Sequence, residues 1–488
     1  MSRASVVVVG GGVAGLAAAW ELSGGASGPS ASTPRVEVIE PGEKVGGTLA
    51  VSSFAGRTID VGPDGFLARR PEATQLINEL GLADELVPIG ASGASIYLRG
   101  ALHEIPMGLA LGVPTSYQAV ASMAGLSWRA RLGAKRDQWF PARLGVAEDI
   151  SIGEIVRTKL GRELAYQFIE PMVGGIQAGR IDELSAKSIF PALYDAARAG
   201  GSLMRALARP ATVAGGASAS PSTPPGPLFA TLRGGIGSLP GRLVELLGER
   251  GVAIRTSTSV VALRATPRGP RRYDVDTPDT TTPADAVVLA TPGTVTGTLA
   301  GALDPAIAAL ASIRCASTAM VTLAVARDAL RLDFSGTGAL VPLGTPFHGD
   351  TMLVTAITLL ERKWPYLAEG GGEAILRVHV GRSDDTRFAA LSDEQLVERV
   401  SRELATILGD FPTPSEALVR RFDHALPQYL VGHDALIGAA KAAAPPLHLA
   451  LAGNAYDGVG IPASIGSGRR AAREILASLG ETPERRSR

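Results

Sequence analysis

The chain opens on an apolar run, a cluster of glycines and a second apolar run, in that order. Four consecutive valines within residues 5–9 predict a strand that is buried on both faces, as in a parallel sheet. Residues 16–22 are good helix formers and predict a helix directly after the glycines. Residues 35–40 predict a second strand that ends in an acidic residue. The chain therefore begins as strand, glycine turn, helix and strand.

The rest of the chain is predicted to contain helices, a hairpin, a linker and a second sheet. Residues 73–80 predict a helix, and residues 96–105 predict a hairpin. Residues 107–209 are rich in helix-forming sequence, and the Ala, Ser, Pro and Gly stretch at 210–227 predicts a loosely held linker. Buried strands are predicted at 252–263 and 284–292, and alternating strands of the second sheet at 315–325 and 374–380.

The glycines after the first strand have the spacing of a dinucleotide-binding turn. In such a turn Gly10 makes the sharp bend, Gly12 lets the backbone approach a pyrophosphate, and Gly15 lets helix and strand pack closely. The helix that follows offers unpaired N–H groups at its N-terminus to the anion. We therefore expect a pyrophosphate site, and the alternative is a glycine-rich turn that binds nothing.

Composition narrows the classes of function. Lys plus Arg and Asp plus Glu both number 47, so no nucleic-acid partner is indicated. The single cysteine, Cys315, excludes a disulfide framework and fits a reducing cytosol. The six histidines lack metal-ligand spacing, so no metal site is predicted, and no apolar run of about 18 residues predicts a membrane span. We expect a cytoplasmic protein, and peripheral contact with the inner face of the membrane stays open.

An acid, a basic residue and two glycines follow the second strand. Glu40 can accept a hydrogen bond from a ribose hydroxyl. The sequence from Glu40 through Lys44 to Gly46 and Gly47 resembles the second fingerprint of the two-dinucleotide-binding-domain flavoproteins, the amine oxidase and phytoene desaturase superfamily. In that superfamily the basic residue is usually arginine and meets the pyrophosphate. Lys44 keeps the charge but loses the bidentate fork.

The resemblance extends to later loops and implies FAD as the cofactor. Residues 62–64 look like the loop beneath the isoalloxazine ring, and residues 453–461 look like the turn at the pyrimidine edge of the flavin. Many amine oxidases attach the flavin to a cysteine near this turn, and residues 447–462 contain none, which implies non-covalent FAD. The implied cofactor residues are Gly10, Gly12, Val13, Ala14, Gly15, Glu40, Lys44, Gly46, Gly47, Gly62, Pro63, Asp64, Val260, Phe422, Gly453, Asn454, Val459, Gly460 and Ile461.

Two further segments resemble the porphyrinogen oxidases within this superfamily. Residues 171–185 are similar to their Pro…Gly-Ile-Tyr-Ala-Gly-Asp…Leu-Ser signature, with Gln177 in place of the tyrosine and Arg180 in place of the aspartate. Residues 425–433 match their Leu-Pro-Gln-Tyr…Gly-His segment. The resemblance runs from residue 5 to about residue 478, with the motifs in the same order.

The resemblance implies an α/β fold, a Rossmann-type two-dinucleotide-binding-domain flavoprotein with a second, mixed-sheet substrate domain and a helical lobe. The implied limits are 1–68, 228–294 and 422–480 for the FAD-binding domain, 69–92 and 295–421 for the substrate domain, 93–227 for the helical lobe ending in the linker, and 481–488 for a disordered tail.

The implied activity is the FAD-dependent oxidation of coproporphyrinogen III to coproporphyrin III, with O2 as acceptor, in heme biosynthesis. Hand-over of the product to a ferrochelatase would follow. Alternatives are a protoporphyrinogen IX oxidase, another amine oxidase or desaturase-type flavoenzyme, and a non-catalytic flavin-binding escort protein. Both a monomer and a homodimer remain open.

The choice of porphyrinogen depends on where the basic residues lie. The long form of the family has an arginine just before the hairpin, whereas residues 91–95 carry no charge here. Arg69 and Arg70 instead resemble the basic pair of the Gram-positive type, which implies the tetracarboxylate coproporphyrinogen III. The alternative for this pair is a solvated helix start. Residues implied to contact the substrate are Arg69, Arg70, Ile176 and His379, and the candidates for catalysis are His379, Ile176 and Gln177.

Two features leave alternatives open. His379 is either a proton acceptor or a structural histidine in a strand. Between residues 128 and 139, basic residues alternate with Trp128 and Trp139. This helix either lies on a membrane surface or exposes its charges to water with its tryptophans turned inward.

Overall fold

The structure is a computed structural model that describes residues 3–91, 93–140, 144–145, 148–208, 227–266, 271–369 and 371–480. Almost all of the predicted linker at 210–227 and the whole predicted tail at 481–488 lie outside the described residues. The described chain forms two large sheets and a helical lobe, each with its own buried apolar cluster. The α/β class expected from the sequence is confirmed.

The first sheet is fully parallel and is centred on the opening strand, whose four valines are buried on both faces. Because all five strands run the same way, their carboxyl ends meet at one edge, where ligands of open α/β sheets bind. The strand order is Ala253–Arg255, Arg35–Ile39, Ser5–Val9, Ala286–Leu289 and Leu449–Leu451.

Both faces of the parallel sheet are covered, which explains why its strands are uniformly apolar. One face packs against helices Val13–Leu22, Leu239–Glu249 and Ile461–Gly480. The other face packs against the antiparallel strands Ala262–Ala265, Tyr273–Asp276 and Thr281–Ala284 and the helices Gly293–Ala300, Pro305–Ala308 and His433–Ala443.

The second sheet has seven strands and separates a closed core from an open cavity. The Asp393–Leu408 helix, which begins with a capping box at Ser392 and Gln395, covers one face through Leu396, Val400 and Leu404. The sheet is antiparallel except where Gly338–Leu340 pairs with Ser95–Leu98. The strand order is Glu416–Pro427, Cys315–Ala326, Glu373–Val380, Val354–Leu359, Gly338–Leu340, Ser95–Leu98 and Ala101–Glu104.

The helical lobe packs around its own apolar cluster beside the hairpin at 95–104. Trp128 and Trp139 are 69% and 67% exposed, so the expectation that they turn inward is wrong. Among the described residues, no helix combines the length and apolar character needed to cross a bilayer. The lobe consists of Tyr117–Ser122, Trp128–Trp139, Ile152–Leu160, Arg162–Leu164, the π-helical turn Ala165–Ile169, Glu170–Gln177, Ala186–Ile189, Pro191–Ala199 and Leu203–Leu207.

Short elements complete the described fold. The helix predicted at 73–80 is present as Pro71–Glu79 and is followed by Gly81 at a positive φ. The remaining strands and the remaining short helix are Val51–Phe54, Arg57–Asp60, Phe66–Leu67, Leu86–Pro88, Leu109–Ala110, Val113–Pro114, Phe229–Leu232, Pro346–Phe347, Asp350–Thr351 and Leu360–Lys363.

Strand boundaries differ from the sequence expectation at three places. The strand predicted at 252–263 ends at Arg255, because the chain leaves the parallel sheet there and joins the antiparallel one at Ala262. The hairpin at 95–104, expected within the helical lobe, forms an edge of the seven-stranded sheet. The Glu416–Pro427 strand runs across the expected domain limit at residue 422. The domain limits themselves remain a prediction.

Candidate active site

Two glycine segments from different parts of the sequence meet at the carboxyl edge of the parallel sheet. Gly12 and Gly46 form a parallel β-bridge, and the Gly46 N–H donates to the Gly11 carbonyl at 2.8 Å. A Cβ at Gly47 would lie 3.4 Å from the Gly12 Cα. The two motifs identified separately in the sequence therefore build one site.

The glycines of the first turn serve two different purposes. A Cβ at Gly15 would lie 1.9 Å from the Gly10 carbonyl oxygen, so only glycine permits this packing. A Cβ at Gly12 would instead have no described atom within 4 Å and would project into open space. No side chain in the described part of the chain caps the N-terminus of the helix that begins at Val13. This open space beside free helix N–H groups fits a pyrophosphate.

Glu40 lies beside the glycine turn, and its carboxylate holds backbone groups there. Its two oxygens accept hydrogen bonds from the Gly11 N–H at 2.6 Å and the Gly42 N–H at 2.8 Å. Each carboxylate oxygen keeps a further lone pair for a ribose hydroxyl. Lys44 is exposed on the loop that leads to Gly46.

An apolar cavity of about 330 Å³ extends from the glycine turn between three walls. The first wall is the carboxyl edge of the parallel sheet, the second is the open face of the seven-stranded sheet, and the third is the Glu170–Gln177 helix. The lining includes Val13, Thr48, Pro63, Gly174, Gly175, Ile176, Thr318, Met320, Thr355, His379, Phe422, Asn454, Val459, Gly460 and Ile461.

The loop at 62–64 is held from beneath by buried cations. Gly62 passes so close to Thr48 that a Cβ would lie 2.0 Å from its carbonyl oxygen. Asp64 points away from the cavity, 2.7 Å from Lys363 Nζ and 3.4 Å from Arg377 Nη1. Burial opposes ionisation of Asp64, but the two cations outweigh it and hold its pKa well below the usual range. Asp64 therefore fixes the loop, and Pro63 faces the cavity.

Asp60 is a buried carboxyl group at the start of the same loop. It accepts hydrogen bonds from the Gly237 N–H at 2.6 Å and the Ile236 N–H at 3.2 Å. The buried Arg377 guanidinium donates to the Asp60 carbonyl and to the Gly62 carbonyl. Burial raises the pKa of Asp60 to about 7, with the nearby Asp64 adding to the shift.

His379 lies on the cavity floor, on the strand face opposite the closed core. Burial lowers its pKa to about 4, and the positive charge of Arg377 adds to the effect. The imidazole is therefore neutral at pH 7. A group with this pKa is a weak base, which disfavours His379 as the proton acceptor.

The C-terminal turn presents Asn454, Val459 and Gly460 to the cavity. Tyr429 holds this turn from outside, because its hydroxyl donates to the Asn454 carbonyl and accepts from the Gly458 N–H at 3.1 Å. Its ring stacks on His433 with centroids 4.1 Å apart. The Ile461–Gly480 helix begins at the turn, so its N-terminus faces the cavity.

A second cavity of about 340 Å³ lies behind Ile176 and Val459, which line both cavities. Gln177 is buried and lines this second cavity rather than the first. Arg70 also lines it and pairs with Glu72 at 2.7 Å. Arg69 is exposed and lines neither cavity. The structure thus separates the two arginines that the sequence presented as a pair.

Several floor residues were not candidates from the sequence. Thr318 and Met320 were identifiable in principle, because alternation places them on the strand face opposite Val321 and Leu323. Thr355 lies at a register shift between strands, which alternation cannot locate. Val260 lies in the irregular segment between two strands and packs at the edge of an apolar cluster.

Residues 13–476 match the model of the flavin containing amine oxidoreductases. The chain belongs to this family. The superfamily resemblance stated from the motifs is thereby confirmed, and a flavin is the cofactor of the family.

Relatives in this family match over nearly their full length. The coproporphyrinogen III oxidase of Propionibacterium freudenreichii subsp. freudenreichii is 34% identical, over 99% of this chain and 93% of the relative. That of Bacillus subtilis (strain 168) is 29% identical, over 97% and 98%. The protoporphyrinogen oxidase of Bos taurus is 30% identical, over 97% and 98%.

Solved structures of family members have the same fold. A crystal structure from Exiguobacterium sp. 255-15, of a chain proposed to be a protoporphyrinogen oxidase, matches with a TM-score of 0.83 and 31% identity, over 98% of this chain and 99% of that one. Cyclohexylamine oxidase from Brevibacterium oxydans IH-35A matches with a TM-score of 0.65 and 15% identity, over 98% and 100%, and supports the fold alone.

Proposed function

We propose that this flavoenzyme binds FAD non-covalently and oxidises coproporphyrinogen III to coproporphyrin III, with O2 as the final acceptor. The observation that carries the proposal is the apolar cavity that joins the pyrophosphate turn to a floor without strong bases. The relatives named coproporphyrinogen III oxidase support the choice of substrate.

The choice of FAD rests on the paired glycine segments. The open space at Gly12, beside the Gly12–Gly46 bridge, is of the kind that a pyrophosphate fills, and a pyrophosphate is present in FAD and absent from FMN. Glu40 then lies at the end of the second strand, where it can hold the ribose. Cys315 is the only cysteine of the chain and does not line the cavity, which supports non-covalent attachment.

The chain mainly orients the substrate and excludes water from it. The mostly apolar lining of the cavity excludes water and holds the macrocycle in one orientation. A bound flavin supplies the two-electron acceptor of each step. Oxidation of a porphyrinogen to a porphyrin removes six electrons and six hydrogens, so three such steps consume three O2 and release three H2O2. A single porphyrinogen therefore has to turn over three times in the site.

Arginines near the cavity can pair with the propionates of the substrate, and the two candidate substrates differ in how many propionates they carry. Coproporphyrinogen III carries four propionates and protoporphyrinogen IX carries two. A macrocycle that lies over His379 reaches past Ile176 toward the second cavity, where Arg70 can pair with a propionate. We assign Arg70 to the substrate and leave Arg69 outside the site.

The exposed aromatic residues of the helical lobe suggest a peripheral membrane contact. Trp128, Trp139 and Phe140 are exposed, and Arg129, Lys135 and Arg136 lie on the same helix. Exposed tryptophans beside basic residues favour the interface of an anionic membrane. Co-sedimentation with phosphatidylglycerol vesicles tests this contact, and Trp128→Ser with Trp139→Ser should abolish it. Equal binding by the double variant would refute it.

Aerobic oxidation of the two porphyrinogens, followed by porphyrin fluorescence, tests the proposed activity. We expect yellow protein that oxidises coproporphyrinogen III with a higher kcat/KM than protoporphyrinogen IX. The reverse preference would favour the protoporphyrinogen IX oxidase. Oxidation of neither compound by flavin-loaded protein would refute a porphyrinogen oxidase.

A further inference from the structure

The Glu170–Gln177 helix, here called the roof helix, is the wall that both cavities share. Its residues Gly174, Gly175 and Ile176 line the first cavity, and Ile176 is 51% exposed there. The position of this helix relative to the floor therefore sets the height of the substrate space. The contacts that hold the roof helix in place therefore affect how well a substrate fits.

The roof helix has irregular backbone at both ends. The π-helical turn Ala165–Ile169 precedes it directly, and such turns are frequent at functional sites. Ala178, which ends it, has a φ of +47°, a left-handed conformation that is uncommon for a residue with a side chain. Regular α-helix therefore does not continue past either end, and contacts from other elements have to hold the roof helix in place.

Those contacts come from the loop that follows the Glu373–Val380 strand of the seven-stranded sheet, and they are buried. Arg382 Nη2 donates to Glu170 Oε1 at 2.5 Å and to the Gly179 carbonyl at 3.0 Å. The second Glu170 oxygen accepts from the Ile181 N–H at 2.9 Å. Both side chains are almost fully buried.

Two further hydrogen bonds join the same segments. The Gln428 side chain donates to the Gln177 carbonyl at 2.8 Å, and the Ser383 N–H donates to the Ala178 carbonyl at 2.7 Å. Gly174 lies directly against the Arg382 guanidinium, because a Cβ at Gly174 would be 3.1 Å from it. The absence of a side chain at Gly174 thus lets the roof helix approach the floor.

We propose that the buried Arg382–Glu170 pair is a positioning device that sets the distance between the roof helix and the cavity floor. The proposal rests on the proposed function, since the substrate is taken from it. Neither residue touches the reacting atoms. They act through Gly174, Gly175 and Ile176, whose displacement would loosen the fit of the macrocycle.

Arg382→Lys tests the device, because lysine keeps the charge but lacks the planar guanidinium that lies against Gly174 and donates to Glu170 and Gly179. Because the roof helix lines the substrate space, its displacement weakens substrate binding, and we expect KM for coproporphyrinogen III to rise about tenfold, with flavin content unchanged. Arg57→Lys is the matched control. Arg57 makes a similar buried pair with Glu361 at 2.6 Å and lines neither cavity.

Gly174→Ala keeps the Arg382–Glu170 pair and places a methyl group against the guanidinium, so it tests the same device. Alanine is also a stronger helix former than glycine. We expect KM to rise while the unfolding temperature stays at or above that of the wild type. Wild-type KM in both Arg382→Lys and Gly174→Ala would overturn the proposal. So would a loss of activity that only follows a loss of bound flavin.

Hydrogen–deuterium exchange separates this proposal from the proposed function, because it needs no turnover. Arg382→Lys should accelerate exchange of the amides at 174–181 in flavin-loaded protein, and Arg57→Lys should not. If the wild type oxidises neither porphyrinogen, the proposed function fails, and the exchange result still decides whether the pair holds the roof helix. Unchanged exchange at 174–181 would overturn the positioning device in either case.

Discussion

Gly12 and Gly46 pair as neighbours across a parallel β-bridge although 33 residues lie between them in the sequence. The bridge brings the N-terminus of the Val13–Leu22 helix together with the loop that carries Lys44. A partial positive helix end thus faces the open space at Gly12, which favours a bound anion. A side chain introduced at Gly12 is expected to fill this space.

Gly12→Val should abolish flavin binding without unfolding the protein. The backbone at Gly12 is extended, a conformation that valine adopts readily, and the added side chain would occupy open space. We expect colourless protein with an unfolding temperature close to that of the flavin-free wild type. The absorbance ratio at 450 and 280 nm measures the flavin content.

Gly372→Val is the matched control for this substitution. Gly372 also has no described atom within 4 Å of its Cβ position, and it lies far from the glycine turn in the sequence, next to the Glu373–Val380 strand. This variant should keep a full complement of flavin. Yellow, stoichiometric Gly12→Val protein would contradict the assignment of the pyrophosphate site.

Arg70→Ala should raise KM for coproporphyrinogen III by about tenfold or more, because a hydrogen bond to a charged group contributes about 1.5–3 kcal/mol. Arg69→Ala, the control, should change KM less than about twofold, since Arg69 is exposed and outside both cavities. Steady-state kinetics on both porphyrinogens measure the effect. Equal effects of the two substitutions would refute a specific propionate contact.

His379→Gln should leave the pH dependence of kcat/KM unchanged between pH 6 and pH 8. With a pKa of about 4 the imidazole is neutral across this range and contributes no titration to it. Loss of a true general base would lower the rate by about 10²–10⁴-fold, whereas we expect a change of only a few fold. If kcat/KM of the wild type changes near pH 6.5 and this change is absent from the variant, His379 acts as a proton acceptor.

Asp60 should make the protein less stable as the pH rises from about 4 to about 7. Its folded-state pKa of about 7 exceeds the ordinary value of 3.8, so the folded state binds the proton more tightly than the unfolded state. The stabilisation is present below pH 4 and is lost as the pH rises through 7. It amounts to about 4 kcal/mol on the linkage relation.

Urea unfolding of the wild type and of Asp60→Asn between pH 4.5 and pH 7.5 measures this contribution. The difference in the free energy of unfolding between them should shift in favour of the variant as the pH rises. Asp64→Asn is the control, because the low pKa of Asp64 predicts a constant loss of stability over the same range. A pH-independent difference for Asp60→Asn would contradict the raised pKa.

Local patterns predicted the elements that build the cofactor side of the site. The four valines, the glycine spacing and the following helix formers each act over a few residues, so the strand, turn and helix could be located before any contact was known. The hairpin at 95–104 and the Pro71–Glu79 helix followed from equally local signals. These predictions succeeded because steric limits of the backbone and side-chain periodicity belong to the segment itself.

The substrate side was decided by contacts between distant segments. Arg69 is exposed although its neighbour Arg70 lines the second cavity, and that cavity is built from six separate parts of the chain. Likewise, burial and the charge of Arg377 lower the pKa of His379, and Trp128 faces outward because the lobe fills its core with other residues.

The sequence by itself determined the α/β class and where a pyrophosphate site is predicted, since both depend on short motifs with strict steric requirements. Only the tertiary structure decided which arginine borders the site, how the roof helix is held and which ionisable groups keep their charge. Those properties depend on burial and on charges brought together from across the sequence, and no local pattern encodes them.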